Sequence, residues 1–95
     1  MGRKVTPENK RDILWCLQDN DWLLVSHIRR KTGINGVVIP VACDELIELG
    51  LAKKESAKEY FPTSIGFAYH ITPDGLEKAE KIQKIMEDPD TKNFF

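Results

Sequence analysis

The sequence has few cysteines and no long apolar run. Its 95 residues include two cysteines, Cys16 and Cys43, each within an apolar stretch of helical spacing. A secreted domain of this size usually has more cysteines at closer spacing, so we expect two buried thiols in a reducing, cytoplasmic protein. No apolar run approaches the roughly 20 residues of a membrane span, and the segment after Met1 does not resemble a signal peptide. No membrane partner is expected.

The chain also lacks the motifs of common enzymes. It contains no glycine-rich phosphate loop, no HExxH and no GxSxG. His27 and His70 have no carboxylate or cysteine neighbours at ligand spacing, which argues against a metal site. Asp44, Glu45 and Glu48 are close in sequence, but catalytic carboxylates need a cleft, for which a chain of this length has little room. We therefore expect no catalytic activity, no metal and no cofactor.

A surplus of positive charge is absent as well. The net charge is −1, whereas proteins that bind nucleic acid by neutralising phosphates usually carry a basic surplus. Any nucleic-acid surface must therefore come from local clusters of cations. Such residues occur at Arg29, Arg30, Lys31, Lys53, Lys54 and Lys58.

The sequence does contain clear signals for the start of two helices. Thr6 can cap free backbone N–H groups, Pro7 suits the first helical position, and Glu8 favours the positive end of the helix dipole. These residues predict a helix that extends to about residue 19. Thr72-Pro73-Asp74 repeats the signal and predicts a last helix over residues 73–87.

Two glycines mark the ends of two further helices. Gly33 ends a helix predicted over residues 25–32, and Gly50 ends one over residues 38–49, since glycine readily adopts the left-handed conformation of a helix end. Pro40 must lie in the first turn of the third helix, because further along it would remove a backbone hydrogen bond. The core stripe of that helix is Ile39, Cys43 and Leu46.

Alternating apolar residues predict a small sheet. A short strand at residues 22–24 leads into the second helix, and residues 51–55 and 67–71 form an antiparallel pair. The segment 56–66 is too long for a tight hairpin and is predicted to be an exposed loop. The alternation places Phe67, Tyr69 and Ile71 on one face and an exposed His70 on the other.

Three stretches carry a resemblance to a known family. Ser26–Gly33 resembles the second helix of a helix-turn-helix. Cys43–Leu51 resembles the end of a recognition helix that leads through Gly-Leu into a wing strand. Tyr69–Ala79 resembles the second wing strand followed by the last helix. Together they resemble the winged-helix domains of small transcriptional regulators of the MarR and PadR kind.

The resemblance implies a fold that is mainly α with a small β-hairpin. Its parts are a three-helix core, an antiparallel wing of two to three strands, and a C-terminal helix. We expect a single domain over residues 1–95, with an ordered core over 6–87 and a flexible tail over 88–95.

The resemblance also implies a DNA-binding transcriptional regulator with double-stranded DNA as its partner. The third helix would enter the major groove, while cations of the second helix and the wing would hold phosphates. The expected DNA contacts are Arg29, Arg30, Lys31, Asn35, Val37, Val41, Lys53, Lys54 and Lys58.

The third helix departs from that pattern, because none of its outward positions is a cation. These positions are predicted to be Val37, Val38, Pro40, Val41, Asp44 and Glu45. An apolar patch of this kind often marks a protein partner. The alternative is therefore a winged-helix interaction module that does not bind DNA.

Two further groups of residues allow two interpretations each. The last helix of the resembled regulators often pairs two subunits, so a homodimer is expected; the alternative is that this helix covers the first helix within one chain. The candidate dimer interface is Trp15, Ala79, Ile82, Ile85 and Met86.

Four aromatic residues near the wing also allow two roles, core and hairpin packing or a base-stacking platform for nucleic acid. Packing is the favoured role. These residues are Tyr60, Phe61, Phe67 and Tyr69.

Overall fold

A computed structural model describes residues 5–19 and 21–86 of the chain. The described residues form four α-helices and a three-stranded antiparallel sheet, which confirms the predicted fold class. Within this part of the chain, no helix has the length and apolar character needed to cross a membrane. The elements are α1 (Pro7–Gln18), β1 (Leu23–Leu24), α2 (Val25–Thr32), α3 (Val38–Glu48), β2 (Ala52–Ser56), a 3₁₀ turn (Ala57–Glu59), β3 (Phe67–Ile71) and α4 (Pro73–Met86).

The sheet has the order β1-β3-β2, with β3 in the centre. Leu23 lies opposite Tyr69 in the pairing of β1 with β3. The pairing of β2 with β3 extends from Ala52 opposite Ile71 to Ser56 opposite Phe67. Because β1 immediately precedes α2, the sheet is attached directly to the helices.

Hydrogen bonds at the helix ends explain why the sequence signals were informative. Thr6 Oγ1 accepts from the backbone N–H of Asn9 at 3.1 Å and caps α1. Thr72 Oγ1 accepts from the N–H of Gly75 at 3.0 Å and caps α4. The Thr72 hydroxyl also donates to the carbonyl of Gly50 at 2.7 Å, so the start of α4 is bonded to the end of α3.

The core forms between α1, α2, α3 and the inner face of the sheet. Leu14, Ile28 and Leu46 are fully buried there. Cys43 is also fully buried, and its burial raises the pKa of the thiol to about 12. The expectation that both thiols are buried is wrong for Cys16, which lies at the edge of the α1 face and is only half-buried.

α4 packs against α1 within the single chain. Ala79 and Ile82 have 0% exposure, and the Trp15 indole Nε1 donates to the carbonyl of Ala79 at 3.2 Å. The expectation that Ala79 and Ile82 pair two subunits is therefore wrong, because α1 already covers them. Trp15 is half-buried. The side chains of Ile85 and Met86, and the expected tail over residues 88–95, lie outside the described residues.

Candidate nucleic-acid interface

The turn between α2 and α3 is built by Gly33 and Asn35. Gly33 has φ 75° and ends α2. The Asn35 side chain accepts from the N–H of Val37 at 2.8 Å, and the Asn35 carbonyl accepts from the N–H of Val38 at 3.0 Å. The Oδ1 atom of Asn35, an expected DNA contact, is thus engaged in starting α3.

One face of α3 is open to solvent. Val37 is 53% exposed and Val41 45% exposed, and Asp44 follows on the same side at helical spacing. We call Val37, Val41 and Asp44 the α3 ridge. Val38 was among the expected outward positions, but it is buried because it packs into the hydrophobic core.

Two of the three acidic side chains of α3, Asp44 and Glu45, are paired with lysines from other elements. Lys54 Nζ on β2 lies 3.3 Å from Asp44 Oδ1. Lys10 Nζ on α1 lies 3.4 Å from Glu45 Oε1. The negative charge that would repel phosphates at this surface is therefore partly neutralised.

Phe67 extends the exposed surface beyond the ridge. Lys54 Nζ lies 4.5 Å from the centroid of its ring, and Phe67 is 50% exposed. Phe67 shares a strand face with the buried Tyr69 and Ile71, as the alternation predicts. The expectation that Phe67 packs inside the hairpin is wrong, since the helices do not cover this end of the sheet.

The cations of α2 point in different directions around the helix. Arg29 lines a concave surface with Gly36 and Val37, next to the α3 ridge. Lys31 instead lines a depression with Trp15 and Cys16 on the α1 side. The structure therefore places Arg29, but not Lys31, beside α3.

The wing lysines are divided in the same way. Lys53 and Lys54 are consecutive in β2, so they point to opposite faces of the sheet. Lys54 reaches Asp44, whereas Lys53 Nζ lies 5.6 Å from the centroid of the Trp22 ring on the other face. Within the described part of the chain, no ion pair is formed by Arg29, Arg30, Lys31 or Lys58, which are all exposed.

The loop after β2 folds back onto β1 and α2. Tyr60 stacks on Trp22 with 4.2 Å between ring centroids, and the edge of Phe61 meets the His27 ring at 5.2 Å. The expectation of an exposed His70 is wrong, because its ring is half-buried 5.1 Å from the Trp22 ring. These contacts favour the packing role of Tyr60 and Phe61. Ile65 remains 87% exposed at the tip.

Comparison with known proteins supports this architecture at the level of fold. No protein-family model and no curated protein matches the chain. The crystal structure of a MarR family transcriptional regulator from Silicibacter pomeroyi DSS-3 is similar to it, with a TM-score of 0.63 and 18% sequence identity over 82% of this chain and 52% of that chain. The chain has a winged-helix fold. It spans about half the length of that regulator.

In this winged helix, α2 and α3 form the helix-turn-helix, and β2 and β3 form the wing. The expected contacts Arg29, Val37, Val41 and Lys54 surround the exposed face of α3. Lys31 and Lys53 point away from it. Phe67 and the lysine–carboxylate pairs were missed, since sequence spacing within an element cannot show which side chains of different elements meet.

Proposed function

We propose that this protein is a cytoplasmic DNA-binding transcriptional regulator that places α3 in the major groove. The observation that carries the proposal is the exposed α3 ridge, flanked by Arg29 of α2 and Lys54 of the wing. An α-helix fits the width of the major groove, and the preceding helix of a helix-turn-helix contacts the backbone. The similar structure from Silicibacter pomeroyi belongs to a transcriptional regulator, which supports the same role here.

Phosphate contacts would come from exposed cations of α2 and the wing. Arg29 and Arg30 on α2 and Lys58 after β2 are exposed, and they have no acidic partner among the described residues. Guanidinium and ammonium groups of this kind position a protein on the backbone without reading the base sequence. Arg29 is the strongest candidate, because it shares a concave surface with Val37 of the ridge.

Fluorescence anisotropy on duplex DNA at two salt concentrations tests the proposal. We expect binding that weakens steeply with salt, since each neutralised phosphate releases counterions. Arg29→Gln should lower both the affinity and the salt dependence. Lys81→Gln on α4 removes the same charge far from the ridge and serves as the control. No binding at low salt would overturn the proposal and leave the alternative, a winged-helix module that binds a protein. In that case the protein should capture a partner in a pull-down, and Val41→Asp should abolish the capture.

We further propose that two copies bind one DNA site as a homodimer. A two-fold dimer predicts half-sites about one helical turn apart. Since Ala79 and Ile82 are covered by α1, the contact must use other residues. Sedimentation velocity and footprinting on the selected site test this, and a monomer with an asymmetric footprint would contradict it.

A further inference from the structure

The α3 ridge has an unusual chemical composition for a surface that reads bases. Val37 and Val41 are apolar and about half exposed, and Asp44 is the polar member, with a side chain that is 57% exposed. An ionised carboxylate only accepts hydrogen bonds. The ridge therefore presents two methyl-bearing surfaces and one acceptor, and none of its three side chains donates a hydrogen bond.

This composition suits some base edges and not others. Guanine presents two acceptors, N7 and O6, in the major groove, and these need donors that the ridge lacks. Thymine presents a C5-methyl group, which suits an apolar side chain, and cytosine presents an N4 amino donor, which suits a carboxylate. Adenine also has an amino donor, but its neighbouring N7 is an acceptor that a carboxylate cannot satisfy. The three side chains of the ridge thus match pyrimidine edges best.

We infer that the α3 ridge reads pyrimidines of one DNA strand, with Val37 and Val41 packed on thymine methyl groups and Asp44 accepting from a cytosine amino group. The inference rests on the proposed function. Val37 and Val41 are separated by about 6 Å along the helix axis, at about 1.5 Å per residue. That separation is close to two base steps of about 3.4 Å each, so the two thymines are two steps apart.

The contact with Lys54 makes this role of Asp44 compatible with DNA. Lys54 binds Oδ1 of Asp44 at 3.3 Å. The other oxygen, Oδ2, forms no hydrogen bond with the described residues and stays open to a base. The ammonium group reduces the repulsion between the carboxylate and the phosphates. Arg29 and Lys54 on either side of the ridge complement a polyanion, which favours DNA over an apolar protein partner.

Replacing thymine by deoxyuridine tests the inference, since it removes the methyl group and leaves the base pair intact. A specific duplex is first selected from random DNA, and each thymine is then replaced in turn. We expect a loss of about fourfold in affinity at each contacted thymine, the value for one buried methyl group, and no loss at other thymines. Val41→Ala should abolish the difference between thymine and deoxyuridine at one position.

Selection with Asp44→Asn provides a second, independent readout. An asparagine amide both donates and accepts and pairs well with adenine, so the selected base should change from cytosine to adenine at one position. Specific binding with no sensitivity to deoxyuridine and no change in the base selected by Asp44→Asn would overturn the inference but keep the proposed function. Absence of any DNA binding would overturn both.

Discussion

Lys54 of β2 and Asp44 of α3 form an ion pair, with 3.3 Å between Nζ and Oδ1. The pair joins the wing to the exposed face of α3. The pair also makes an acidic α3 compatible with the DNA-binding role proposed above, since the lysine offsets the charge of the carboxylate at the surface. Lys10 offsets the charge of Glu45 in the same way from α1.

Replacing Lys54 by Met removes one positive charge and leaves Asp44 unpaired. We expect affinity for DNA at low salt to fall about fivefold, because a unit charge near a phosphate contributes about 1 kcal/mol in water. Thermal stability should change little, since an exposed ion pair contributes at most about 1 kcal/mol. Fluorescence anisotropy and thermal unfolding measure the two quantities.

Lys53 provides the matched control, since it has the same charge one residue earlier and faces Trp22 on the other side of the sheet. Lys53→Met should weaken binding by less than about twofold. On random duplex DNA, where Asp44 reads no particular base, Asp44→Asn in the Lys54→Met background should restore most of the lost affinity. Equal losses for Lys53→Met and Lys54→Met would show that the position of Lys54 beside α3 does not matter.

The stacking of Tyr60 on Trp22 predicts that Trp22 holds the loop after β2 in place. Trp22→Ala should increase amide hydrogen exchange over residues 57–66 by about tenfold, since an aromatic pair contributes about 0.5–1.5 kcal/mol beyond its buried area. Tyr60→Phe keeps the ring and removes only the hydrogen bond from the hydroxyl to Glu55. Exchange in that variant should stay close to that of the natural protein, and unchanged exchange in Trp22→Ala would contradict the prediction.

The ends of the helices were predictable because their signals are local. Thr6 and Thr72 cap helices through hydrogen bonds to residues three positions ahead, and Gly33 and Gly50 have the positive φ of helix ends. Each of these interactions lies within a few residues of the chain. Spacing in the sequence was therefore sufficient to locate them.

The surface of the candidate site was less predictable, because it depends on contacts between elements. Arg29 faces α3 and Lys31 faces α1 because of the way α2 is rotated about its axis. The sequence of α2 alone does not show this rotation. The helices cover one end of β3 and not the other, so Tyr69 is buried while Phe67 on the same face is exposed. The apolar stripe at Ala79 also could not show whether α1 or a second chain covers it.

Close packing at the start of α4 predicts that Gly75 cannot be replaced. A Cβ atom there would overlap the backbone carbonyl of Leu51 and approach Cγ1 of Ile71 at 2.6 Å. Gly75→Ala should lower the free energy of unfolding in urea by about 2 kcal/mol, a typical cost of overpacking. Gly36→Ala is the control, because its nearest neighbour, Cδ of Arg29, lies at an ordinary 3.6 Å. A similar loss in both variants would contradict this explanation.

Two buried weak acids predict a loss of stability at alkaline pH. Burial raises the pKa of Cys43 from 9.0 to about 12 and that of Tyr69 from 10.0 to about 12. The unfolded chain therefore releases these protons at lower pH than the folded chain. Since the folded state then binds more protons, its stability decreases as pH rises.

The free energy of unfolding should accordingly fall between pH 9.0 and about 12, first through Cys43 and above pH 10.0 also through Tyr69. Urea unfolding at several pH values measures the slope. Cys43→Ala should reduce the slope from pH 9.0 upward but not abolish it, because burial also raises the pKa of Cys16. Tyr69→Phe should reduce only the part above pH 10.0. Each variant lowers stability at every pH by altering the core, so the slope, and not the absolute value, distinguishes proton release from lost packing. An unchanged slope in Cys43→Ala would mean that the thiol ionises as readily in the folded chain as in the unfolded one.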